Sequence, residues 1–271
     1  MSVRKVAVRK VAVRKVAVRK VAVRKVALVT GASSGIGAAT AHRLAPSHHL
    51  ILVARRADRL KELAAGMDSA LVIAEDLTDP EAAGRIAERV GAEHGRLDLL
   101  VNNAGAHFGG AFADTGWEHV HRSMEINFAA HVRMTGALLP LLRRSAPSAV
   151  VNVASVAGRI GLAHSGAYSA AKFALSGWTE ALHAEERGHG VHVALVLPGF
   201  VTTEGFRYRA DRASRRTRWM LSTPEVTARA IVAAATGRTG ERYTPWPWWL
   251  LAAGRRLVPG LYRKAAPTIR A

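Results

Sequence analysis

The sequence predicts an α/β protein whose single domain is a doubly wound parallel sheet, and three observations carry that expectation. Short apolar runs recur at 26–29, 49–54, 70–74, 97–101 and 149–154, separated by turn residues and helix-patterned stretches. The first run ends in a glycine-rich turn that opens into a helical stretch at 38–44. The composition is globular: 271 residues, 49% hydrophobic and 22% charged, suffice for one substantial core. Strands alternating with helices at this spacing pair in parallel, because crossover helices lie on the sheet faces, and ligands bind at the strand carboxyl ends. The expected architecture is therefore of the Rossmann type.

From residue 3 to 27 the chain reads VRKVA five times without a substitution. A period of five matches neither a helix nor a strand, so no coherent apolar face forms. It also lacks the apolar run of a signal peptide or membrane span. A polybasic arm for acidic lipid or nucleic acid and a tandem expansion both fit, and the identity of the copies favours the second. Residues 1–22 are expected to be a disordered basic tail, and the last copy enters the first strand of a domain spanning 23–245. The net charge of +19 divides unevenly: ten basic and no acidic residues in 1–27, fifteen and sixteen in 28–203, fourteen and four in 204–271. Basicity confined to the two ends of a neutral body gives no ground for a specific nucleic-acid partner. With no cysteine, disulfides and thiolate metal sites are excluded, and a cytoplasmic setting is expected.

After the first strand come Gly31, Ser33, Ser34, Gly35, Ile36 and Gly37. A strand, a tight glycine turn and a helix start form an anion site, since unpaired helix amides and the dipole favour a pyrophosphate. The second strand ends at Arg55 and Arg56, where an NAD site would carry an acidic residue for the ribose hydroxyl. Cations there suit a 2′-phosphate, so NADP(H) is expected over NAD(H), with Arg56 also readable as a solvated strand end. Next follow the third strand, Asp76 and Leu77, a helix at 80–93, the fourth strand, and Asn102, Asn103, Ala104 and Gly105.

The strand at 149–154 leads to Ser155, whose hydroxyl either polarises a carbonyl or caps a turn. Tyr168 and Lys172 stand four apart in a helix at 165–187, on one face. An ammonium beside a phenol favours the phenolate and suits proton transfer to a substrate oxygen. Lys172 is one of three lysines outside the repeat, with Lys61 and Lys264. Of twelve histidines, the His119 and His121 pair invites a metal reading, but positions two apart on a helix diverge, so no metal site is expected. Glu185 and Glu186 are read as a solvated helix end.

These motifs together resemble the classical short-chain dehydrogenase/reductase (SDR) family. TGASSGIG stands at 30–37, NNAG at 102–105, Asn127 in the following helix, then Ser155, YSAAK at 168–172, and Pro198 and Gly199 followed by Val201 and Thr203. The resemblance covers about residues 23–243. It implies that Tyr168 is the general acid or base, Lys172 lowers its pKa and binds the nicotinamide ribose, Ser155 orients the substrate oxygen, and Asn127 supports a proton-relay water. It also implies that Asp76 meets the adenine, that 103–105 faces the adenosine, and that 198–203 holds the nicotinamide amide. A homodimer or homotetramer through helices at 114–144 and 165–187 is expected on the same ground.

Residues 204–222 carry six arginines with Phe206, Tyr208, Trp219 and Met220, and are expected to form a substrate lid before a helix at 224–235. The segment 246–271 holds Trp246, Trp248 and Trp249 with aliphatics and flanking cations. It is read as an interfacial membrane contact over 246–264, a pocket wall or a subunit interface. The overall expectation is an NADP(H)-dependent oxidoreductase for a small-molecule carbonyl or alcohol of apolar or amphipathic character. The rival is a non-catalytic NADP-binding regulator on the same fold.

Overall fold

The computed structural model describes residues 24–202, 218–237 and 240–265. The expectations for the repeat tail at 1–22, for Thr203 and for most of the lid lie outside the described residues.

The first half of the chain alternates strictly: β1 (Lys25–Thr30), α1 (Gly35–Leu44), β2 (His48–Ala54), α2 (Ala57–Ala65), β3 (Ala70–Ala74), α3 (Ala82–His94) and β4 (Leu99–Asn102). Then come α4 (Phe112–Met124), a π-helical turn (Glu125–Ala129), α5 (Ala130–Arg144), β5 (Ser148–Val153), α6 (Gly166–Glu186) and β6 (Val191–Pro198). The short β7 (Phe200–Val201) and β8 (Leu221–Ser222) pair with each other, followed by α7 (Pro224–Ala234), β9 (Glu241–Thr244), α8 (Trp248–Leu257) and α9 (Pro259–Ala265).

Seven strands form one parallel sheet in the order β3-β2-β1-β4-β5-β6-β9. The order reverses between β1 and β4, which opens a crevice beyond their carboxyl ends. Alternation along the strands divides the core into two layers. Val26 and Leu28 of β1 pack with Ile86 of α3 and Met134 and Leu138 of α5, whereas Ala27 and Val29 pack with Ala41 and Leu44 of α1 and Ile231 of α7. The fold class is as expected, and the strand at 70–74 has the expected bounds, while other elements begin or end one to three residues away.

One expectation is corrected. Glu186 is buried, and its carboxylate accepts from Arg143 Nε at 2.9 Å and Nη2 at 2.6 Å, tying α6 to α5. The fork of that guanidinium holds the carboxyl below its ordinary range. Only Glu185 of the pair is exposed at the helix end. The sequence pattern was silent because the partner is 43 residues away. His119 and His121 do diverge: the first meets the Phe108 ring edge-on, the second tilts against Trp117.

Candidate active site

A cleft of about 770 Å³ runs along the carboxyl edge of the sheet. Its walls include Gly31, Ser33, Ser34, Gly35, Ile36, Arg55, Arg56, Asp76, Leu77, Asn103, Ala104 and Gly105 at one end. At the other stand Asn127, Ser155, Tyr168, Lys172, Pro198, Gly199 and Val201. Of the residues singled out in the sequence, Gly37 lies behind the wall and Thr203 lies outside the described residues.

The glycine turn is shaped by sterics. Gly31 has φ +66°, a conformation unfavourable to other residues, and a Cβ on Gly37 would overlap the Gly31 carbonyl. Thr30 joins this turn to the 103–105 loop: its Oγ1 accepts from Asn103 N at 2.9 Å and Ala104 N at 3.0 Å, while Asn103 Nδ2 donates to Thr30 O at 3.0 Å. Ser34 makes no side-chain cap on α1, so the first amides of that helix face the cleft with no side chain bound to them. A cradle of backbone beside a helix start accommodates a pyrophosphate, and a Cβ on Gly105 would crowd Asn127 Oδ1.

At the end of β2 both guanidinium groups stand beside this cradle. Arg56, read partly as a solvated strand end, donates from Nε and Nη2 to Ser33 Oγ, each at 3.2 Å, and is thereby held over the turn. Arg55 lies 3.8 Å from Asp76, an exposed pair of little energetic weight. Asp76 Oδ1 also accepts from Thr78 N at 3.0 Å and Oγ1 at 2.8 Å, and these bonds hold its carboxyl below the usual range. The end of β2 carries Arg55 and Arg56 and no acidic residue, and the residues along the cleft fit a nicotinamide dinucleotide.

Ser155 caps the turn, one of the two parts considered for it. Its Oγ accepts from Ala157 N at 3.2 Å, capping the turn after β5, and it hydrogen-bonds the Tyr168 phenol. Lys172, buried one helical turn further on, donates from Nζ to Val153 O at 3.0 Å. Burial pushes the phenol up to about 12 against the pull of the Ser155 hydrogen bond, and burial pushes Lys172 down to about 7. The Lys172 Nζ lies 5.8 Å from the phenol ring centre.

Asn127 sits fully buried in the π-helical turn. Its Nδ2 donates to Ala106 O at 2.8 Å and Ser123 O at 3.1 Å, and its Oδ1 accepts from Ala106 N at 3.2 Å. The side chain is therefore consumed in fixing the loop after Gly105.

The sequence reading missed two residues. His107 meets the Tyr168 ring edge-on at 5.0 Å and its Nε2 lies 2.9 Å from Ser165 Oγ. His131 is 1% exposed, its Nε2 donates to Ala104 O at 2.6 Å, and its Nδ1 has no partner among the described residues. Burial, with Lys172 adding to it, pushes His131 down to about 3. The position of His107 two residues after NNAG was a usable signal, whereas nothing local marks His131.

His131 gives a pH prediction. Below pH 6.5 the unfolded chain protonates this histidine while the folded chain refuses the proton until about pH 3, so its contribution to stability is full above 6.5 and falls on acidification. Between pH 7 and 5 that loss is on the order of 2 kcal/mol. In His131→Gln the loss over this range is smaller by that amount, as measured by urea unfolding at both pH values. Equal losses in the two proteins would refute the assignment.

Comparison with known proteins decides the family. A model of the short chain dehydrogenase family matches residues 25–213. The chain belongs to the short-chain dehydrogenase family. Among relatives, it is 35% identical over 176 residues to a 3-ketodihydrosphingosine reductase of Bacteroides thetaiotaomicron, spanning 65% of this chain and 64% of that protein. It is 31% identical to dehydrogenase/reductase SDR family member 7B of Bos taurus over 257 residues, 87% of this chain and 78% of the relative. Among solved structures, a short-chain dehydrogenase from Streptomyces avermitilis superposes with a TM-score of 0.76 at 32% identity, covering 90% of this chain and 96% of that one. An NADP active-site complex of Pseudomonas aeruginosa RhlG superposes with a TM-score of 0.72 at 30% identity, covering 81% and 93%.

Proposed function

We propose that this short-chain dehydrogenase is an NADP(H)-dependent oxidoreductase that moves a hydride between nicotinamide and the carbonyl or secondary alcohol of an apolar or amphipathic substrate. The observation that carries the reading is the Ser155, Tyr168 and Lys172 constellation on the cleft wall, opposite a backbone cradle flanked by Arg55 and Arg56. Bound in that cradle, the dinucleotide supplies the hydride. In the reductive direction the Tyr168 hydroxyl gives its proton to the substrate oxygen, and Ser155 donates a second hydrogen bond to the same oxygen. Lys172 favours the phenolate left behind and orients the ribose, while Asn127 keeps the 103–106 backbone in register. The substrate end is walled by Phe108, Val156, Leu162, Phe200 and Val201, which supports an apolar substrate.

The family likeness also supports pairing through α4, α5 and α6 into a dimer or tetramer. The rival, a regulator without turnover, leaves a buried lysine beside a serine-bound tyrosine without a task. Oxidation of NADPH, followed by absorbance over carbonyl compounds of graded chain length, tests the proposal. Turnover that rises with chain length is expected, and silence across the whole series would favour the regulator.

Arg55→Ala and Arg56→Ala each weaken NADPH binding by about tenfold to a hundredfold, the worth of a charge-assisted hydrogen bond, with NADH affinity little changed. Titration of both dinucleotides by fluorescence checks this, and equal losses for the two would remove the 2′-phosphate role.

A further inference from the structure

We infer that the outer face of α8 docks on an anionic lipid bilayer. The helix lies on the protein by one side only. Trp248 and Ala252 are buried, Trp248 against Phe200 and Trp219, while Arg255 stacks over Phe173 and donates to Arg159 O at 3.0 Å. At 100° per residue the opposite side gathers Trp249, Leu250, Ala253 and Leu257. Trp249 is 45% exposed, Leu250 52% and Leu257 80%, and Trp246 and Val258 extend the patch at either end. A surface helix normally turns polar residues outward; this one is apolar on both sides, and most of the large exposed hydrophobic side chains among the described residues belong to it or its flanks.

Charge selects the occupant. Residues 242–271 contain six basic and no acidic side chains, and Arg256 of α8 and Arg263 and Lys264 of α9 are exposed. Tryptophan and leucine rimmed by cations match a headgroup layer of negative charge, with the apolar side chains entering the acyl boundary. A second copy of this chain would bring the same cations face to face, in a protein already at +19. No helix among the described residues is long and apolar enough to cross a membrane, so the contact is with the surface. Through Trp248 and Phe200 the same helix backs the apolar end of the cleft, so docking would set that end near the bilayer. That consequence rests on the oxidoreductase reading, whereas the docking does not.

The test is cosedimentation of the full chain with vesicles of phosphatidylcholine alone or mixed with phosphatidylglycerol, at 0.1 and 0.5 M NaCl. High salt shortens the screening length to about 4 Å and suppresses purely electrostatic binding by the amino-terminal repeat. The wild type is expected to retain binding to the anionic vesicles at high salt, and Trp249→Glu/Leu250→Glu/Leu257→Glu to lose at least tenfold in partitioning with its circular dichroism unchanged. If the triple variant fails to fold, Leu257→Glu alone, at the most exposed position, is expected to lose several-fold. Undiminished binding by a folded variant would overturn the proposal, as would a wild type that binds only at low salt. A variant that changes from oligomer to monomer in light scattering while binding lipid normally would assign the face to a second copy instead. Because the readout needs no turnover, failure of the enzymatic reading leaves this result standing, and the reverse.

Discussion

Tyr168→Phe is expected to lower turnover by about a thousandfold, within the range that a positioned proton donor contributes. The substitution removes one oxygen and leaves the ring, its edge contact with His107 and the helical turn to Lys172 in place. Ser155 keeps its bond from Ala157 N and its contact with Pro198 O, so the fold and the affinity for NADPH stay close to those of the wild type. The direction of the pH effect follows from the high phenol pKa. With the free phenol near 12, the reductive reaction finds its proton in place at any neutral pH, while the oxidative reaction needs the phenolate and quickens as pH rises. In the variant the oxidative rate no longer rises with pH, and both rates are low. Stopped-flow NADPH absorbance in each direction measures them, and near-normal rates in Tyr168→Phe would sink the assignment of Tyr168 as acid and base.

Lys172→Met is expected to abolish most turnover and at the same time to stabilise the protein. Above pH 10.5 the lysine is neutral whether folded or not, and its burial costs nothing in ionisation. As the pH falls, the unfolded chain takes up a proton that the folded chain accepts only near pH 7, so stability declines through that window by on the order of 5 kcal/mol. Methionine avoids this cost but strands the Val153 carbonyl, a penalty of about 1–3 kcal/mol. The net gain is about 2 kcal/mol at pH 7 and disappears, or reverses, towards pH 10.5. Urea denaturation at pH 7 and pH 10 reads it. A variant less stable than the wild type at pH 7 would mean that the buried ammonium is compensated. A stabilised but inactive protein is the expected mark of a site held at the expense of the fold.

Much of the site was legible because its chemistry is local in sequence. The glycine turn at 31–37, the loop at 103–105, and Tyr168 with Lys172 are short strings whose spacing a turn or a helix dictates. The cation pair at 55 and 56 marks a strand end directly. Illegible were the pairings distant in sequence: Glu186 with Arg143, His131 with Ala104, and Thr30 with the 103–105 loop. None has a partner within 25 residues, so no periodicity announces it. The burial that raises the Tyr168 pKa was illegible for a related cause, since proximity of charge is visible in a sequence and loss of water is not.

By itself, then, the sequence determined the order and type of the elements, the doubly wound parallel sheet and the short motifs that mark a short-chain dehydrogenase, because hydrophobic period and turn chemistry act over a few residues. Only the tertiary structure decided which side of the tryptophan-rich helix faces water, which carboxylate of a pair is buried, and how far burial moves the ionisation of Tyr168, Lys172 and His131. Those are properties of environment: they depend on what the rest of the chain places around a group, and desolvation has no signature along the chain.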